Sequence, residues 1–316
     1  MTQKPFVLCI IGPTACHKTE VSIQLAKRLN GEIVSADSVA VYRRLDIGSA
    51  KPTIEEQQAV PHHMIDVADI TDTDYSVARF CQQARDAIES ILSRGKLPIV
   101  VGGSGLYSDA IFSEMRFCAP SDPAIRSRLE KEYQTDADAL YDRLRRLDAV
   151  TAERLHRNDA KRIIRALEVY EVSGKPFSEW NETFVKVQEE GERYRVFRCG
   201  LDMDRAKLYE RINLRVDRMF ENGLKQEAFS LFDEGLSPRY PALQAIGYAQ
   251  LYEAYRGAVT LEEAKEQIKL ATRHFAKRQL TWFRRNKQTK WYFTDQFESM
   301  DACIRAIEQD VKANAK

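Results

Sequence analysis

The feature that most constrains this chain is an apolar run that ends in a glycine-rich loop and continues into a helix. FVLCIIG leads into the loop GPTACHKT, Gly12 to Thr19, and TEVSIQLAKRL follows with apolar residues at helical spacing. The loop matches most of the pattern G-x-x-x-x-G-K-[ST], in which backbone N–H groups at a helix start attract phosphate. A strand before the loop and a helix after it distinguish such a site from a chance match. The stretch therefore predicts an α/β fold with a phosphate site.

Two residues of this loop carry side chains suited to a phosphate. Lys18 would place a positive charge against it, and the hydroxyl of Thr19 would ligate a Mg²⁺ that bridges the phosphates. The alternative is an ordinary strand–turn–helix with a surface lysine. The order of strand, glycine, Lys-Thr pair and helix favours the phosphate site.

His17 departs from the pattern, because it occupies the position of the glycine before the lysine. That position can require a positive φ, and histidine is one of the non-glycine residues that tolerate it. Three interpretations follow: a tolerated variant, an imidazole that donates a hydrogen bond to the phosphate, or a clash that ruins the site. The sequence leaves all three open.

Strand and helix patterns alternate along the first third of the chain. EIVSAD and LPIVVGGSG read as further buried strands, and SVARFCQQARDAIESILSRG reads as the helix between them, ending at Gly95. YRVFRCGLD, from Tyr194, predicts a returning strand, helices follow to about Arg285, and KWYFTD predicts an edge strand. This alternation predicts a doubly wound parallel sheet covered on both faces.

The middle of the chain has a different character. After Pro120 the sequence is charged and helical, with no strand candidate until about Tyr194. The tripeptide SDP predicts a helix start with Ser121 as its cap. We therefore predict an α/β core formed by residues 1–120 and 191–316, with a helical C-terminal part, and a helical insertion over residues 121–190.

Composition narrows the possible functions. The formal net charge is +1, so a nucleic-acid surface would have to come from local clusters of basic residues. The six cysteines have no zinc-site spacing, which is typical of reduced cytosolic thiols. The N-terminal apolar run is too short for a membrane span and lacks a signal-peptide pattern. These features predict a cytoplasmic protein without a membrane partner.

A carboxylate follows the second predicted strand. Asp37 ends SAD, and the third strand runs into the glycines of GGSG, Gly102 to Gly105. Ligands of open α/β sheets bind beyond the carboxyl ends of the strands, so we expect both stretches beside the phosphate loop. Asp37 could cap a turn, support a Mg²⁺ or act as a general base, and its position alone does not decide.

Basic residues cluster in three segments. The stretch Lys265 to Lys290 is rich in Lys and Arg, with Glu266 as its only acidic residue, and phosphate backbones are its natural partner. Its aromatic residues are expected to face the core: Phe275, Trp282 and Phe283. HRNDAKRIIRALE forms a second cluster. In YERINLRVDRM, Arg211, Arg215 and Arg218 share one helix face, which could line an anion channel or be solvated.

Together these stretches resemble the bacterial tRNA dimethylallyltransferases. The resemblance is carried by GPTACHKT, SADSVAVYR, DIGSAKPT, PHHMIDV, YSVARF, LPIVVGGSGLY, HRNDAKRIIRALE, QAIGY and AKRQLTWFR, which occur in family order over residues 12–284. It implies a fold like that of P-loop NTPases, with a helical insertion. It also implies transfer of a dimethylallyl group from its diphosphate to the exocyclic amine of the adenosine 3′ to the anticodon in tRNA.

The resemblance also implies residue roles. The phosphate loop would bind dimethylallyl diphosphate through Gly12, Pro13, Thr14, Ala15, Cys16, His17, Lys18 and Thr19. Thr19 would hold Mg²⁺, Asp37 would accept the proton, and Lys18 and Arg211 would stabilise the leaving diphosphate. The tRNA anticodon stem-loop would contact Asp37, Ser38, Val39, Ala40, Ser104, Arg126, Lys161, Arg162, Ile163, Ile164 and Arg165. A monomer is expected.

Departures from the family pattern keep alternatives open. Besides His17, Ala40 stands where many members have glutamine, Ser104 replaces a common threonine, and Arg157 replaces a usual proline. A transferase that prenylates free adenine nucleotides is one alternative, against which the insertion and the basic C-terminal segment argue. A P-loop kinase or ATPase is disfavoured by the missing glycine. A tRNA-binding protein without catalysis would follow if His17 blocks the loop.

Overall fold

The chain forms two compact units. A computed structural model describes residues 4–113, 121–180 and 193–315. The first unit comprises Met1–Phe112 and Tyr194–Lys316, and the second comprises Ser113–Arg193. The insertion predicted over residues 121–190 lies within the second unit.

A six-stranded parallel sheet forms the centre of the first unit. Its order is β3-β2-β4-β1-β5-β6, and every neighbouring pair is parallel. The strands are β1 (Phe6–Ile11), β2 (Gly31–Ser35), β3 (His62–His63), β4 (Leu97–Gly102), β5 (Arg195–Asp202) and β6 (Lys290–Phe293). This confirms the predicted parallel α/β sheet, to which the structure adds the two-residue β3. The central strand β1 has a strand on each side and is covered on both faces of the sheet. Because water is excluded from it, its sequence is apolar along its length.

Within residues 4–113, four helices precede the insertion. They are α1 (Lys18–Leu29), α2 (Ile54–Ala59), α3 (Val77–Ser93) and α4 (Gly105–Phe112). The helix α1 begins at the end of the phosphate loop, and its Val21, Leu25 and Ala26 pack into the core that covers β1. The carboxyl ends of β1 and β4 therefore feed directly into α1 and α4, which places both connecting loops at one edge of the sheet.

The second unit is helical where it is described. Its helices are α5 (Pro123–Thr135), α6 (Ala137–Leu147), α7 (Ala149–Arg154) and α8 (Ala160–Ser173). Each begins at an aspartate whose side chain accepts a backbone N–H of the first turn, namely Asp122, Asp136, Asp148 and Asp159. The expectation that Ser121 caps α5 is wrong, because the Asp122 carboxylate holds the first-turn N–H groups and the Ser121 hydroxyl donates to Glu168 instead.

Five helices follow β5 in the first unit. They are α9 (Arg205–Glu221), α10 (Leu224–Asp233), α11 (Tyr248–Tyr255), α12 (Leu261–Phe283) and α13 (Met300–Ala315). The five cysteines within the described ranges are buried free thiols. No helix in residues 4–113, 121–180 or 193–315 combines the length and apolar character needed to span a bilayer.

Candidate active site at the phosphate loop

The loop between β1 and α1 has the backbone of an anion cradle. Gly12, Ala15 and His17 all have positive φ, at 151°, 65° and 68°. A Cβ on Gly12 would lie 2.4 Å from the Leu201 carbonyl oxygen, so only glycine fits there. His17 lies in the left-handed region directly before Lys18, the first residue of α1. The position where the pattern has glycine does require a positive φ, and histidine supplies it.

The His17 side chain is bound to its own helix. Its Nδ1 lies 2.9 Å from Oε2 of Glu20, one turn into α1. An ionised carboxylate only accepts hydrogen bonds, so Nδ1 is the donor in this contact. This geometry supports the interpretation of His17 as a tolerated variant.

Lys18 folds back over the loop that it closes. Its ammonium donates to the carbonyl oxygens of Gly12, at 3.0 Å, and Pro13, at 2.6 Å. Burial lowers the pKa of Lys18, the nearby Cys16 opposes that shift, and Arg215 adds to it. Burial also raises the pKa of the Cys16 thiol, which keeps it protonated and neutral. The loop thus holds a half-buried cation without a carboxylate hydrogen-bonded to it among the described residues.

Asp37 is fixed at the end of β2 by its own turn. Its Oδ1 accepts the backbone N–H groups of Val39, at 2.8 Å, and Ala40, at 3.1 Å. Within the described ranges, no group donates a hydrogen bond to its Oδ2. The Ser104 hydroxyl, at the start of α4, accepts from the Ser38 N–H at 3.2 Å and joins the ends of β4 and β2. One carboxylate oxygen is therefore oriented by backbone and the other is free for a ligand.

Gln279 of α12 connects the phosphate loop to the GGSG loop. Its Oε1 accepts the Thr14 N–H at 2.9 Å, and its Nε2 donates to the Gly103 carbonyl at 2.8 Å. The side chain is 5% exposed, and a Cβ on Gly103 would lie 2.3 Å from its Nε2. Local sequence patterns do not single out Gln279 as a site residue, although it is the glutamine of the motif AKRQLTWFR.

A second hydrogen-bond network fixes the loop after Asp37. The Glu227 carboxylate accepts the backbone N–H groups of Asp46, Ile47 and Gly48 and the hydroxyl of Tyr248, the last at 2.6 Å. Tyr248 is fully buried, and a Cβ on Gly48 would lie 2.4 Å from its ring. The segment DIGSAKPT therefore contributes the loop residues that Glu227 binds. The segment QAIGY contributes Tyr248, which binds the same carboxylate.

These elements enclose a cavity of about 600 Å³. It is lined by the loop residues from Thr14 to Thr19, by Asp37, Ser38, Val39 and Ala40, and by Arg211, Arg215 and Gln279. The prediction that Asp37 lies beside the phosphate loop is confirmed. Apolar side chains complete the wall, among them Met219, Ile246, Ile268 and Phe275. The expectation that Phe275 packs in the core is therefore wrong, whereas Phe283 is buried as expected.

Two arginines of α9 face this cavity. Arg211 donates from Nε to the Ala15 carbonyl at 3.0 Å. Burial lowers the pKa of Arg215, and the nearby charge of Asp37 opposes that shift. Arg215 was placed on this helix face by its spacing but was not assigned to the site. Together with Lys18, these residues give the cavity an excess of positive charge.

Comparison with known proteins identifies the family. The family model for IPP transferases matches residues 40–286, which is more than half of the chain. The chain belongs to the IPP transferase family. The tRNA dimethylallyltransferase of Anoxybacillus flavithermus is 47% identical over 287 residues, covering 90% of this chain and 89% of that protein.

Solved structures agree with this assignment. The tRNA isopentenylpyrophosphate transferase of Bacillus halodurans superposes with a TM-score of 0.72 at 40% identity, covering 99% of this chain and 97% of that chain. A eukaryotic dimethylallyltransferase acting on tRNA superposes with a TM-score of 0.81 at 30% identity, covering 98% of this chain and 80% of that chain. The predicted resemblance and fold class are both confirmed.

The second unit contains the remaining residues for which tRNA contacts were predicted. Arg126 and Arg165 both bind the fully buried carboxylate of Glu168, at 2.7 and 2.8 Å. Burial raises the pKa of Glu168, but the hydrogen bonds from these arginines outweigh it and lower the pKa overall. Ile163 and Ile164 are buried in the hydrophobic core of this unit, so their side chains serve packing.

The exposed cations of α8 lie on its first turn. Lys161 and Arg162 are both exposed, and Arg162 forms an ion pair with Asp159 at 2.5 Å. Lys161 also interacts with another group of the protein. Because exposed ion pairs of this kind contribute little stability, the arginine can exchange its partner for a phosphate at small cost. Contact of these residues with tRNA stays a prediction.

Proposed function

We propose that this enzyme transfers a dimethylallyl group from dimethylallyl diphosphate to the exocyclic amine of the adenosine 3′ to the anticodon in tRNA. The observation that carries the proposal is a single cavity that combines a phosphate loop, the Asp37 carboxylate, Arg211 and an apolar wall. The diphosphate belongs at the loop. The short prenyl group belongs against the apolar residues, such as Met219 and Phe275.

In this reaction the adenosine amine attacks the first carbon of the prenyl group. A nitrogen–carbon bond forms, the bond between that carbon and the diphosphate oxygen breaks, and one amine proton is released. Negative charge grows on the leaving diphosphate, where Lys18, Arg211 and the N–H groups of the loop stabilise it. Asp37 accepts the proton through Oδ2, because its Oδ1 is held by Val39 and Ala40.

The residues present fit a Mg²⁺ ion bound together with the diphosphate. The Thr19 hydroxyl lines the cavity and makes no hydrogen bond with another described residue. No group of three or more His, Cys, Asp or Glu side chains suited to a metal occurs in the described parts of the chain. Mg²⁺ commonly uses few protein ligands and several phosphate and water oxygens, so Thr19 alone suffices on the protein side. The ion would neutralise phosphate charge.

The acceptor in this proposal is the anticodon stem-loop of tRNA. Its target base has to leave the stack to reach the cavity, near Asp37, Ser38 and Ser104. Arg126, Arg165 and the exposed start of α8 would contact backbone phosphates, which orient an RNA without reading its sequence. We further propose that the enzyme acts as a monomer in the cytoplasm.

The test is a prenylation assay with purified full-length protein, Mg²⁺ and dimethylallyl diphosphate. We expect product with a stem-loop that carries adenosine 3′ to the anticodon. A matched stem-loop with inosine at that position lacks the exocyclic amine and should give none. Product from free AMP without product from the adenosine stem-loop would instead establish a nucleotide prenyltransferase and refute the proposal.

A further inference from the structure

A second, smaller cavity adjoins the phosphate loop. Its volume is about 190 Å³, and it is lined by Ala15, Arg211, Leu214, Arg215 and Arg218. The three arginines stand four and three residues apart on α9, so their side chains share one face of the helix. The wall of this cavity is therefore dominated by guanidinium groups.

The charges of these guanidinium groups are not neutralised by ion pairs. In residues 4–113, 121–180 and 193–315, none of the three has a carboxylate within ion-pair distance. Asp217, the neighbour of Arg218 in sequence, is bound instead by Lys265 and Lys269, at 2.8 and 2.9 Å. Like charges this close repel each other, so an anion between them would relieve the repulsion.

The small cavity shares lining residues with the large one. Ala15, Arg211 and Arg215 line both cavities, whereas Arg218 lines only the smaller one. Arg211 is held in this shared wall by its hydrogen bond to the Ala15 carbonyl. The arginines thus form a row of positive charge from exposed Arg218 to the phosphate loop.

We infer that Arg218, with Arg215 and Arg211, forms a second anion site that binds inorganic diphosphate next to the phosphate loop. This inference rests on the proposed function, because diphosphate is the anion which that reaction releases. A diphosphate displaced from the loop meets three guanidinium groups without breaking any ion pair. The cavity volume of about 190 Å³ suits a small anion rather than a length of RNA backbone.

The inference is tested by calorimetric titration of full-length protein with inorganic diphosphate at about 50 mM and about 200 mM KCl. The wild-type protein should show a tighter event at the phosphate loop and a weaker event with the steeper loss at high salt. Arg218→Gln should lose the weaker event and keep the tighter one, and Lys18→Ala should lose the tighter one. Arg205→Gln is the matched control, because Arg205 is exposed on the same helix but lines neither cavity. It should keep both events.

Three results would overturn the inference. The first is a single binding event in the wild-type protein, and the second is two events that both persist in Arg218→Gln. The third is a raised KM for the stem-loop in Arg218→Gln with unchanged diphosphate titration, which would assign the arginines to RNA. Because the titration uses neither RNA nor turnover, the titration can be interpreted even if the prenylation assay gives no product.

Discussion

Gln279 offers the sharpest test of how the phosphate loop is held. Replacing it by leucine removes the acceptor of the Thr14 N–H and the donor to the Gly103 carbonyl, while keeping a side chain of similar size. The Gly103 carbonyl is buried in this contact, and the Thr14 N–H is partly buried. Leucine supplies no hydrogen-bond partner to replace the glutamine for either group.

The expected magnitude follows from the burial of those two groups. A buried polar group left unsatisfied costs about 1–3 kcal/mol, and the partly exposed N–H lies at the lower end. We therefore expect Gln279→Leu to lower the free energy of unfolding by about 2–4 kcal/mol. In urea unfolding this appears as a lower midpoint at unchanged m-value. Because Thr14 belongs to the loop, the affinity for inorganic diphosphate should also fall, by about tenfold in calorimetric titration.

Two further variants separate the hydrogen bonds from side effects. Gln267→Leu makes the same chemical change at an exposed position of the same helix and should leave stability and diphosphate affinity unchanged. Gln279→Glu keeps an acceptor for Thr14 but sets a carboxylate against the Gly103 carbonyl, so it should also be destabilised. If Gln279→Leu loses stability yet binds diphosphate like the wild type, the residue supports the fold and does not position the loop. If it loses neither, the reasoning is wrong.

Four other predictions follow from single residues. Asp37→Asn keeps an acceptor for its turn but cannot take a proton, so single-turnover prenylation should fall by at least about 10²-fold while diphosphate titration is unchanged. Burial raises the pKa of Glu32, but its cationic partners outweigh this and hold it at about 2, below its unfolded value of 4.5. About 3 kcal/mol of stability, present above pH 4.5, should therefore be lost as the pH falls towards 2, and urea unfolding of Glu32→Gln should lack this loss. Glu168→Gln should lower the free energy of unfolding by about 1–3 kcal/mol, since Arg126 loses its buried carboxylate. His17→Gly should bind diphosphate within about twofold of the wild type, and a tenfold loss in titration would show that the imidazole touches the phosphate.

The elements that the sequence predicted correctly have strong local patterns. β1, β4 and α3 combine continuous apolar runs or helical spacing with clear ends, and the structure places them within a few residues of the predicted bounds. The two-residue β3 has no such pattern, because its pairing with β2 depends on a neighbour strand rather than on its own composition. The cap of α5 was misassigned since Ser121 and Asp122 are both good caps, and the choice depends on Glu168, which binds Ser121.

The positioning contacts of the site were beyond local patterns. Gln279 is 265 residues from Thr14 in sequence, and Glu227 is 181 residues from Asp46. Periodicity marks a helix face as buried but does not say which loop it meets. A polar side chain on such a face signals a specific partner, because a buried polar group requires one. That rule would have singled out Gln279 without naming Thr14.

The phosphate loop is joined by direct contacts to the part of the chain that the family model matches. The family model covers residues 40–286 and so does not include Gly12 to Thr19, whose assignment rests on the loop sequence, its backbone geometry and the positive φ of His17. Yet Gln279 and Arg211 lie inside the matched range and bind Thr14 and Ala15 of the loop. A loop that matched the phosphate pattern only by chance would not be expected to be bound by these two residues. The contacts therefore tie the loop to residues of the matched range, although histidine replaces its second glycine.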